Sequence, residues 1–189
     1  EIEKREGKIL FNTEVTKLES SDKVSVKYKI HNTKYIIQTF DKVIVTLPSF
    51  FFVKLAPQLP NKYKEQLMRF KGLGALNLVL RLKKPFLADG TYWLSICGKT
   101  SPIMAIVEHT NFMDKKYYKK EHLLYLGNYL SADSKRFVMD KEQTLKLFDP
   151  FLRKINKDYR KNLINYELFK APFAQPVIPT NYSKMIPPF

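Results

Sequence analysis

The sequence predicts an α+β fold, in which a small β meander precedes a mixed, mostly antiparallel sheet packed with helices. Four strand-like runs with short polar connections fill residues 8–46. Helical spacing begins after Pro48, and alternation of apolar and polar residues returns from Gly74. We therefore predict two domains, the meander over residues 1–48 and a second domain over residues 49–189.

The meander is predicted from the runs KILFNTEVTKL, KVSVKYKI, KYIIQTF and KVIVT, in that order. Their connections, ESSD and HNT, have the length and polarity of hairpin loops. The apolar residues 43–45 predict a short strand buried on both faces, which ends where Pro48 offers no N–H to a neighbouring strand. Ligands often bind beyond the carboxyl ends of such strands, so the loop at residues 46–48 is a candidate cofactor edge.

Three helices are predicted in the second domain. SFFFVKLAP is typical of a short aromatic helix or turn. A second helix begins at Asn61 after Pro60 and ends at Gly72. A third spans residues 140–156 with Asp140 as its N-cap, and Pro150 would bend it or divide it in two.

The strands of the second domain begin with GALNLVLRLKKPF, where leucines alternate with Asn77, Val79, Arg81 and Lys83. This pattern predicts a long strand with one face wet or turned towards a ligand. TYWLSIC, SPIMAIVEHTNF and HLLYLGNYL predict three more strands, and NLINYELF begins a last one that passes into a proline-rich tail.

The composition excludes several classes of protein. A hydrophobic fraction of 44% excludes a disordered chain, and no apolar window approaches the ~20 residues that cross a bilayer. The amino terminus, EIEKREGKIL, is too charged for a signal peptide. The single cysteine, Cys97, excludes an internal disulfide and a cysteine-rich zinc site, and we expect it to be a small buried residue. A cytoplasmic protein is therefore expected.

The charge of +15 would attract nucleic acid or an anionic membrane. The excess is spread along the chain and is mostly lysine, in doublets such as Lys115-Lys116 and Lys119-Lys120. Arginine supplies bidentate contacts to phosphates and bases, and it is the minor component here. A solvated lysine-rich surface is therefore favoured, and no specific nucleic-acid partner is expected.

In the order of its segments, the chain resembles the middle of flavoproteins of the amine oxidase, protoporphyrinogen oxidase and phytoene desaturase superfamily. The matching pieces are GKILFNTEVTKL, DKVIVTLPSFFFVKLAP, KGLGALNLVLRLKKPF, AIVEHTNF, LLYLGNYL and APFAQPVIPTNY. The resemblance implies that residues 1–48 are part of an incomplete FAD-binding domain and that residues 49–189 are a substrate-binding domain. It also implies FAD as the cofactor of a larger parent oxidoreductase.

The cofactor contacts follow from this resemblance. The backbone of Val15 would meet the adenine ring, and Thr46, Leu47 and Pro48 would lie near the adenosine side. None of the six glycines forms the GxGxxG spacing that holds the pyrophosphate of FAD. We therefore expect a fragment that holds flavin poorly and is inactive by itself.

A substrate-facing surface is expected where polar side chains interrupt apolar strands. Alternation within AIVEHTNF would put Glu108 and Thr110 on one face and His109 and Asn111 on the other. His109 has the chemistry of a base or hydrogen-bonding group, although strand histidines more often only satisfy a neighbour. No catalytic residue is identified and no metal site is expected. The predicted substrate-binding residues are Asn77, His109, Asn111, Tyr129, Gln175 and Tyr182.

Other interpretations stay open. Phe50, Phe51 and Phe52 could form an entry for a lipophilic or amine substrate, or a peripheral membrane contact, but a helix packed into the core is the simpler interpretation. The chain could also be a stand-alone module that binds a hydrophobic ligand or an anionic polymer without catalysis.

Overall fold

The computed structural model describes residues 1–31 and 34–187. The chain divides into two compact units, one formed by Glu1–Lys71 with Ile178–Phe189 and the other by Gly72–Val177. The chain passes from the first unit to the second between residues 71 and 72, and it returns between residues 177 and 178. The domain boundary near residue 48 concerns the larger parent protein, so it stays a prediction.

The first unit contains the meander that the sequence predicts. Strands β1 (Thr13–Ser20), β2 (Val24–Ile30) and β3 (Lys34–Phe40) form an antiparallel sheet in that order. Helices α1 (Ser49–Leu55) and α2 (Asn61–Met68) follow in the chain. The buried core residues of this unit are Leu18, Val26, Tyr28 and Ala56. The predicted HNT loop lies partly outside the described residues, because residues 32 and 33 are not among them.

The predicted strand at residues 43–45 is wrong. The structure shows no strand between Lys42 and Leu47, and Ile44 is 90% exposed. Only Val43 and Val45 pack against the core of the first unit. Alternate residues are therefore buried on one side, whereas the prediction placed protein on both faces of this segment.

The second unit is a five-stranded antiparallel sheet with the order β5-β6-β7-β4-β8. Its strands are β4 (Gly72–Leu82), β5 (Trp93–Ser95), β6 (Ala105–Glu108), β7 (His122–Leu130) and β8 (Leu163–Pro176). Helices α3 (Lys141–Ile155) and α4 (Tyr159–Asn162) complete the unit. This architecture confirms the predicted α+β fold.

One face of this sheet is buried and the other is open. Leu76, Leu78, Leu80 and Leu82 are at most 2% exposed, and they share a core with apolar residues of α3. The predicted alternation along β4 is therefore confirmed. Its other residues point to the opposite face, which carries the candidate site.

Helix α3 begins where the sequence predicts. The Asp140 carboxylate accepts a hydrogen bond from the backbone N–H of Gln143 (2.7 Å), and the Gln143 side chain accepts one from the backbone N–H of Asp140 (3.1 Å). This reciprocal pair satisfies two N–H groups that a helix start leaves unpaired. Pro150 lies inside the helix without dividing it.

Two strand boundaries differ from the prediction. Gly72 does not end α2, which ends at Met68, but begins β4. A side chain would not fit at residue 72, because a Cβ there would lie 1.8 Å from the Phe173 ring. The strand predicted through residue 112 ends at Glu108, where a 3-10 turn begins. Alternation of faces therefore stops before residues 109–111.

Two further expectations concern exposure and membranes. Cys97 was expected to be buried and is exposed, because it follows the short edge strand β5 instead of lying within the sheet. Within residues 1–31 and 34–187, no helix is both long enough and apolar enough to cross a membrane.

Candidate functional site

The open face of the five-stranded sheet has a recess over the middle of β7. Gly127 pairs with Asn77 of β4 on one side and with Ala105 of β6 on the other. Tyr125 and Tyr129 lie two residues to either side of Gly127, so their side chains share its face of the sheet. Gly127 has no side chain, so a hollow lies over the sheet between these two aromatic rings.

This hollow is a cavity of about 370 Å³, within the size range of small-molecule sites. Its walls are mostly apolar or aromatic, with a few polar groups. The lining residues are Ala75, Leu76, Asn77, Tyr92, Trp93, Met104, Ala105, Val107, His109, Tyr125, Gly127, Asn128 and Tyr129. None of them is Asp, Glu, Lys or Arg, so the cavity suits a neutral ligand better than a charged one.

Asn77 is one of the polar residues that line the cavity. Its Oδ1 is buried, and it has no hydrogen-bond partner among the residues that the structure describes. A buried acceptor without a donor is costly, and native proteins contain few of them.

His109 lies at the end of β6 and lines the same cavity. Its Nε2 lies 2.8 Å from the Tyr118 hydroxyl, and its ring meets the Tyr118 and Tyr125 rings edge to face at 5.1 and 5.4 Å. The imidazole is held in place by these contacts, so His109 can orient a ligand from a fixed position.

Glu108 lies next to His109 but points into the protein, where it is fully buried. Its Oε2 accepts hydrogen bonds from the backbone N–H groups of Phe86 (2.8 Å) and Leu87 (3.0 Å). Burial raises the pKa of Glu108, although these hydrogen bonds oppose the shift. Glu108 therefore anchors the loop at residues 86–87 and does not face the cavity.

His122 lies 3.8 Å from Glu108, between its Nδ1 and the carboxylate Oε1. Burial lowers the pKa of His122, with a smaller contribution from the charge of Lys115. An ion pair would shift both pKa values in the opposite directions. Neither shift is the one an ion pair would produce, so this contact does not stabilise the charged form of either side chain.

The structure brings three of the predicted substrate-binding residues together, because Asn77, His109 and Tyr129 line one cavity. Asn111 lies in the following turn, where its Nδ2 donates to the carbonyl oxygens of Leu87 and Thr91, both at 2.9 Å. That amide fastens two loops to each other. A direct substrate contact by any of these residues stays a prediction.

The other two predicted substrate residues lie elsewhere. Gln175 pairs with Leu73 near the end of β8 and is not among the residues that line the cavity. Tyr182 belongs to the first compact unit, and its ring contacts Phe70 at 5.3 Å. The roles predicted for both residues remain untested.

Sequence reasoning missed much of the cavity wall. Tyr92, Trp93, Tyr125 and Gly127 line it, yet none of them was singled out. The signal was present for two of them, because Tyr125 and Gly127 share the face of Tyr129 by simple alternation along HLLYLGNYL. For Tyr92 and Trp93 the strand pairing had to be known first.

The predicted cofactor residues lie in the first unit. Val15 is on β1, at the edge of the three-stranded sheet, and is 36% exposed. The outer edge of such a strand offers backbone N–H and C=O groups, which suit the edge of an adenine ring. Leu47 is 48% exposed in the segment without a strand. The contacts of Val15 and residues 46–48 with the adenosine end of FAD stay a prediction, and none of these residues carries a cation for the pyrophosphate.

No group of three or more His, Cys, Asp and Glu side chains is placed to hold a metal ion within residues 1–31 and 34–187.

Comparison with known proteins gives one family. The model of the flavin-containing amine oxidoreductases matches residues 1–182 of the chain. A comparison with curated protein sequences finds no significant match.

Three solved structures share the fold. A protein assigned as a protoporphyrinogen oxidase from Exiguobacterium sp. 255-15 has 11% identity and a TM-score of 0.66, and the match covers 92% of this chain and 37% of that one. An oxidoreductase from Methanosarcina mazei has 16% identity and a TM-score of 0.67, with 91% and 40% covered. A reduced UDP-galactopyranose mutase has 13% identity and a TM-score of 0.70, with 92% and 37% covered. The chain thus spans 37–40% of the length of these proteins.

Proposed function

This chain belongs to the family of flavin-containing amine oxidoreductases, and from that premise we propose that it supplies the substrate-binding part of an FAD-dependent oxidoreductase. The observation that carries the proposal is the cavity of about 370 Å³ on the open face of the five-stranded sheet. Its apolar walls and few polar groups are those of a small-molecule site.

The cofactor is proposed to be FAD, with its adenosine end on the backbone of Val15 and on residues 46–48. When bound, the flavin supplies the acceptor for electrons removed from the substrate. The remaining contacts of FAD are proposed to come from the rest of a longer protein, since similar proteins are more than twice as long as this chain.

The residues of the cavity would bind and orient the substrate. The aromatic rings exclude water and hold an apolar body, while Asn77 and His109 fix its polar groups. A flavin oxidation demands little proton transfer from the protein, because the cofactor does the difficult chemistry. A catalytic triad is therefore not required of this sheet.

Flavin binding is tested on the full-length gene product that contains this chain. The purified protein should show the absorption band of an oxidised flavin, and the isolated chain should show much less of it at equal concentration. A full-length product that binds no flavin would refute the proposed oxidoreductase. It would favour the alternative of a stand-alone module that binds a hydrophobic ligand.

Substrate binding in the cavity is tested by filling the cavity with a larger side chain. Gly127→Leu places a side chain into the hollow, because a Cβ at residue 127 would meet no atom within 4 Å. In the full-length protein this variant should lose turnover of its substrate and keep its flavin band. Lys146→Ala, on the exposed side of α3, is the matched control and should keep both. Unchanged turnover in Gly127→Leu would place the substrate elsewhere.

We also propose a peripheral membrane contact, which two exposed aromatic side chains near lysine doublets support. Phe112 is 71% and Tyr117 is 67% exposed, and the doublets Lys115-Lys116 and Lys119-Lys120 flank Tyr117. Exposed rings beside lysines suit the interface of an anionic bilayer. Phe51, in the aromatic helix that the sequence suggested, is 44% exposed.

Flotation with phosphatidylserine vesicles tests this contact. The double variant Phe112→Ser, Tyr117→Ser should float less than the unmodified chain, and Phe51→Ser is the control for α1. If the unmodified chain does not float, the membrane contact is refuted. If only Phe51→Ser loses flotation, the contact lies on α1 instead.

The alternative of a module for an anionic polymer rests on the charge of +15. Tight binding to nucleic acid with a steep dependence on salt would favour it. Filter binding across a salt series measures this directly.

A further inference from the structure

Gly127 is a glycine that the fold does not require. It lies inside β7, a strand with neighbours on both sides, where it pairs with Asn77 of β4 and Ala105 of β6. A glycine inside a strand costs stability, because it loses more backbone freedom on folding than other residues do and packs no side chain. Its φ is not positive and a Cβ at residue 127 would meet no heavy atom within 4 Å, so neither the backbone nor the available space demands glycine.

The space that Gly127 leaves open belongs to the cavity, because Gly127 and its partner Ala105 both line it. A glycine inside a strand often marks a place where a ligand approaches the backbone closely. On a floor of such small residues, a flat ring brings all of its atoms to the contact distance of about 3.5–4 Å. A puckered ring of the same size brings only some of its atoms that close, so the floor favours a flat ligand.

Tyr125 and Tyr129 bound this floor along β7. They are four residues apart, so their Cα atoms are separated by about 13 Å. Side chains stand roughly perpendicular to a sheet, and contacts of about 3.5–4 Å at each wall leave about 5–6 Å for the heavy atoms of a ligand. One ring or two fused rings fit this width. The Tyr125 wall is fixed in advance, because its ring meets the His109 ring edge to face at 5.4 Å.

The charge of the ligand follows from the composition of the walls. No residue that lines the cavity is Asp, Glu, Lys or Arg. An ion placed there would lose its hydration without gaining a counter-charge. A cation would also meet the unfavourable field of a chain with a net charge of +15. A neutral ligand is therefore favoured.

We propose that the cavity binds a neutral, planar compound of one ring or two fused rings, which lies flat on Gly127 between Tyr125 and Tyr129. Gly127 is then the residue that determines specificity, because any side chain at this position would lift the ring off the floor. The inference rests on the proposed function, in which the cavity is the substrate site. It narrows the substrate to a class defined by shape and charge.

Trp93 allows a direct measurement on the whole chain. It is the one tryptophan of the sequence and it lines the cavity, so its fluorescence reports binding at this site. Four probes of similar size are compared near neutral pH: benzyl alcohol is flat and neutral, cyclohexylmethanol is puckered and neutral, benzylamine is a cation and benzoate is an anion. We expect benzyl alcohol to bind about fivefold more tightly than cyclohexylmethanol, because aromatic pairs attract beyond the area that they bury. Neither ion should bind more tightly than benzyl alcohol.

The variant Gly127→Ala places a methyl group on the floor. It should weaken the binding of benzyl alcohol about tenfold and bring the two neutral probes to equal affinity, because the flat contact is lost. It should nevertheless unfold at a higher urea concentration than the unmodified chain, since alanine restricts the unfolded chain and the Cβ has room.

Gly98→Ala is the matched control. Gly98 is not among the residues that line the cavity, its φ is not positive, and a Cβ there would approach only the Ser101 Cβ, at 4.0 Å. This variant should also gain resistance to urea, and it should bind all four probes as the unmodified chain does. A loss of binding in Gly127→Ala that Gly98→Ala does not share therefore belongs to the floor of the cavity.

The outcomes are distinct. If none of the four probes binds, the cavity is not a ligand site, and the proposed function and this inference both fail. If the two neutral probes bind equally well to the unmodified chain, the cavity remains a ligand site and the flat ligand is refuted. Tighter binding of either ion than of benzyl alcohol refutes the neutral ligand. If Gly127→Ala is less stable than the unmodified chain, or binds benzyl alcohol equally well, the role of Gly127 in specificity is refuted.

Discussion

At the scale of single residues, Glu108 shows how strongly burial governs a carboxyl group. It is fully buried, and two backbone N–H groups donate to one of its oxygens. Thr110 Oγ1 approaches its other oxygen at 3.4 Å, and His122 lies 3.8 Å away. Burial still prevails over these contacts, because the pKa of Glu108 is raised. In the sequence Glu108 looks like a site residue, but in the structure its carboxyl group binds the backbone of the loop at residues 86–87.

The raised pKa gives Glu108 a defined effect on stability. A group whose pKa is higher in the folded state contributes its stability in full below its ordinary pKa of 4.5 and loses it as the pH rises through the raised value. Gln cannot ionise and keeps an oxygen for both N–H groups. The stability of Glu108→Gln relative to the unmodified chain should therefore increase as the pH rises above the ordinary pKa of 4.5, measured by urea unfolding.

Glu108→Ala serves as the comparison, because it leaves two buried N–H groups unpaired and should cost about 1–3 kcal/mol for each at any pH. A relative stability of Glu108→Gln that instead decreases towards high pH would show that the ionised carboxylate is the favoured form.

At the scale of elements, Asp149 joins α3 to α4. It accepts hydrogen bonds from Tyr159 Oη (2.5 Å), Arg160 Nε (2.7 Å) and Arg153 Nε (2.7 Å). Partial burial opposes ionisation of Asp149, but the hydrogen bonds from Tyr159, Arg160 and Arg153 outweigh it and lower its pKa from 3.8 to about 2. Tyr159 is 1% exposed in the core, so this carboxylate also satisfies a buried hydroxyl.

This contact should appear as an acid-dependent loss of stability. A lowered pKa contributes stability above the ordinary value of 3.8, and that stability is lost as the pH falls from 3.8 to about 2. Asp149→Asn should therefore cost roughly 2 kcal/mol at neutral pH and nothing near pH 2. Urea unfolding across this range measures it. Asp140→Asn on the same helix keeps an N-cap and should change little; an equal loss in both variants would contradict the role of Asp149.

At the scale of the whole molecule, the segment after β3 exposes a large apolar side chain. Ile44 is 90% exposed between two valines that pack on the core of the first unit, and no described strand pairs with it. Single exposed apolar side chains are common on protein surfaces, so Ile44 is a position at which a covering segment can be tested. We propose that the rest of a longer flavoprotein covers it, in keeping with the 37–40% coverage of the similar structures.

Two lysine substitutions test this arrangement. Ile44→Lys in the present chain should change the free energy of unfolding by less than about 0.5 kcal/mol, because the side chain touches mainly solvent. Val45→Lys should cost about 2 kcal/mol or more, because it puts a charge against the core. In the full-length product Ile44→Lys should become as costly as Val45→Lys. Chemical unfolding of both forms measures it, and a neutral effect in the longer protein would refute the covered surface.

Much of the fold could be predicted because its signals are local. The alternation of Leu76, Leu78, Leu80 and Leu82 defines a buried face whatever strand lies alongside it, and Asp140 caps α3 through residues only three positions away. The same reasoning failed at residues 43–45, since apolar β-branched residues show a tendency to form a strand but cannot supply its partner.

What the sequence by itself determined is which residues alternate, where α3 begins and which polar side chains interrupt apolar strands. Only the tertiary structure decided that Asn77 stands beside Gly127, that Tyr92 and Trp93 join His109, and that Glu108 turns inward. The physical reason is that a cavity is formed by neighbours in space. Residues 77 and 127 are far apart in the chain, and only the pairing of β4 with β7 brings them together.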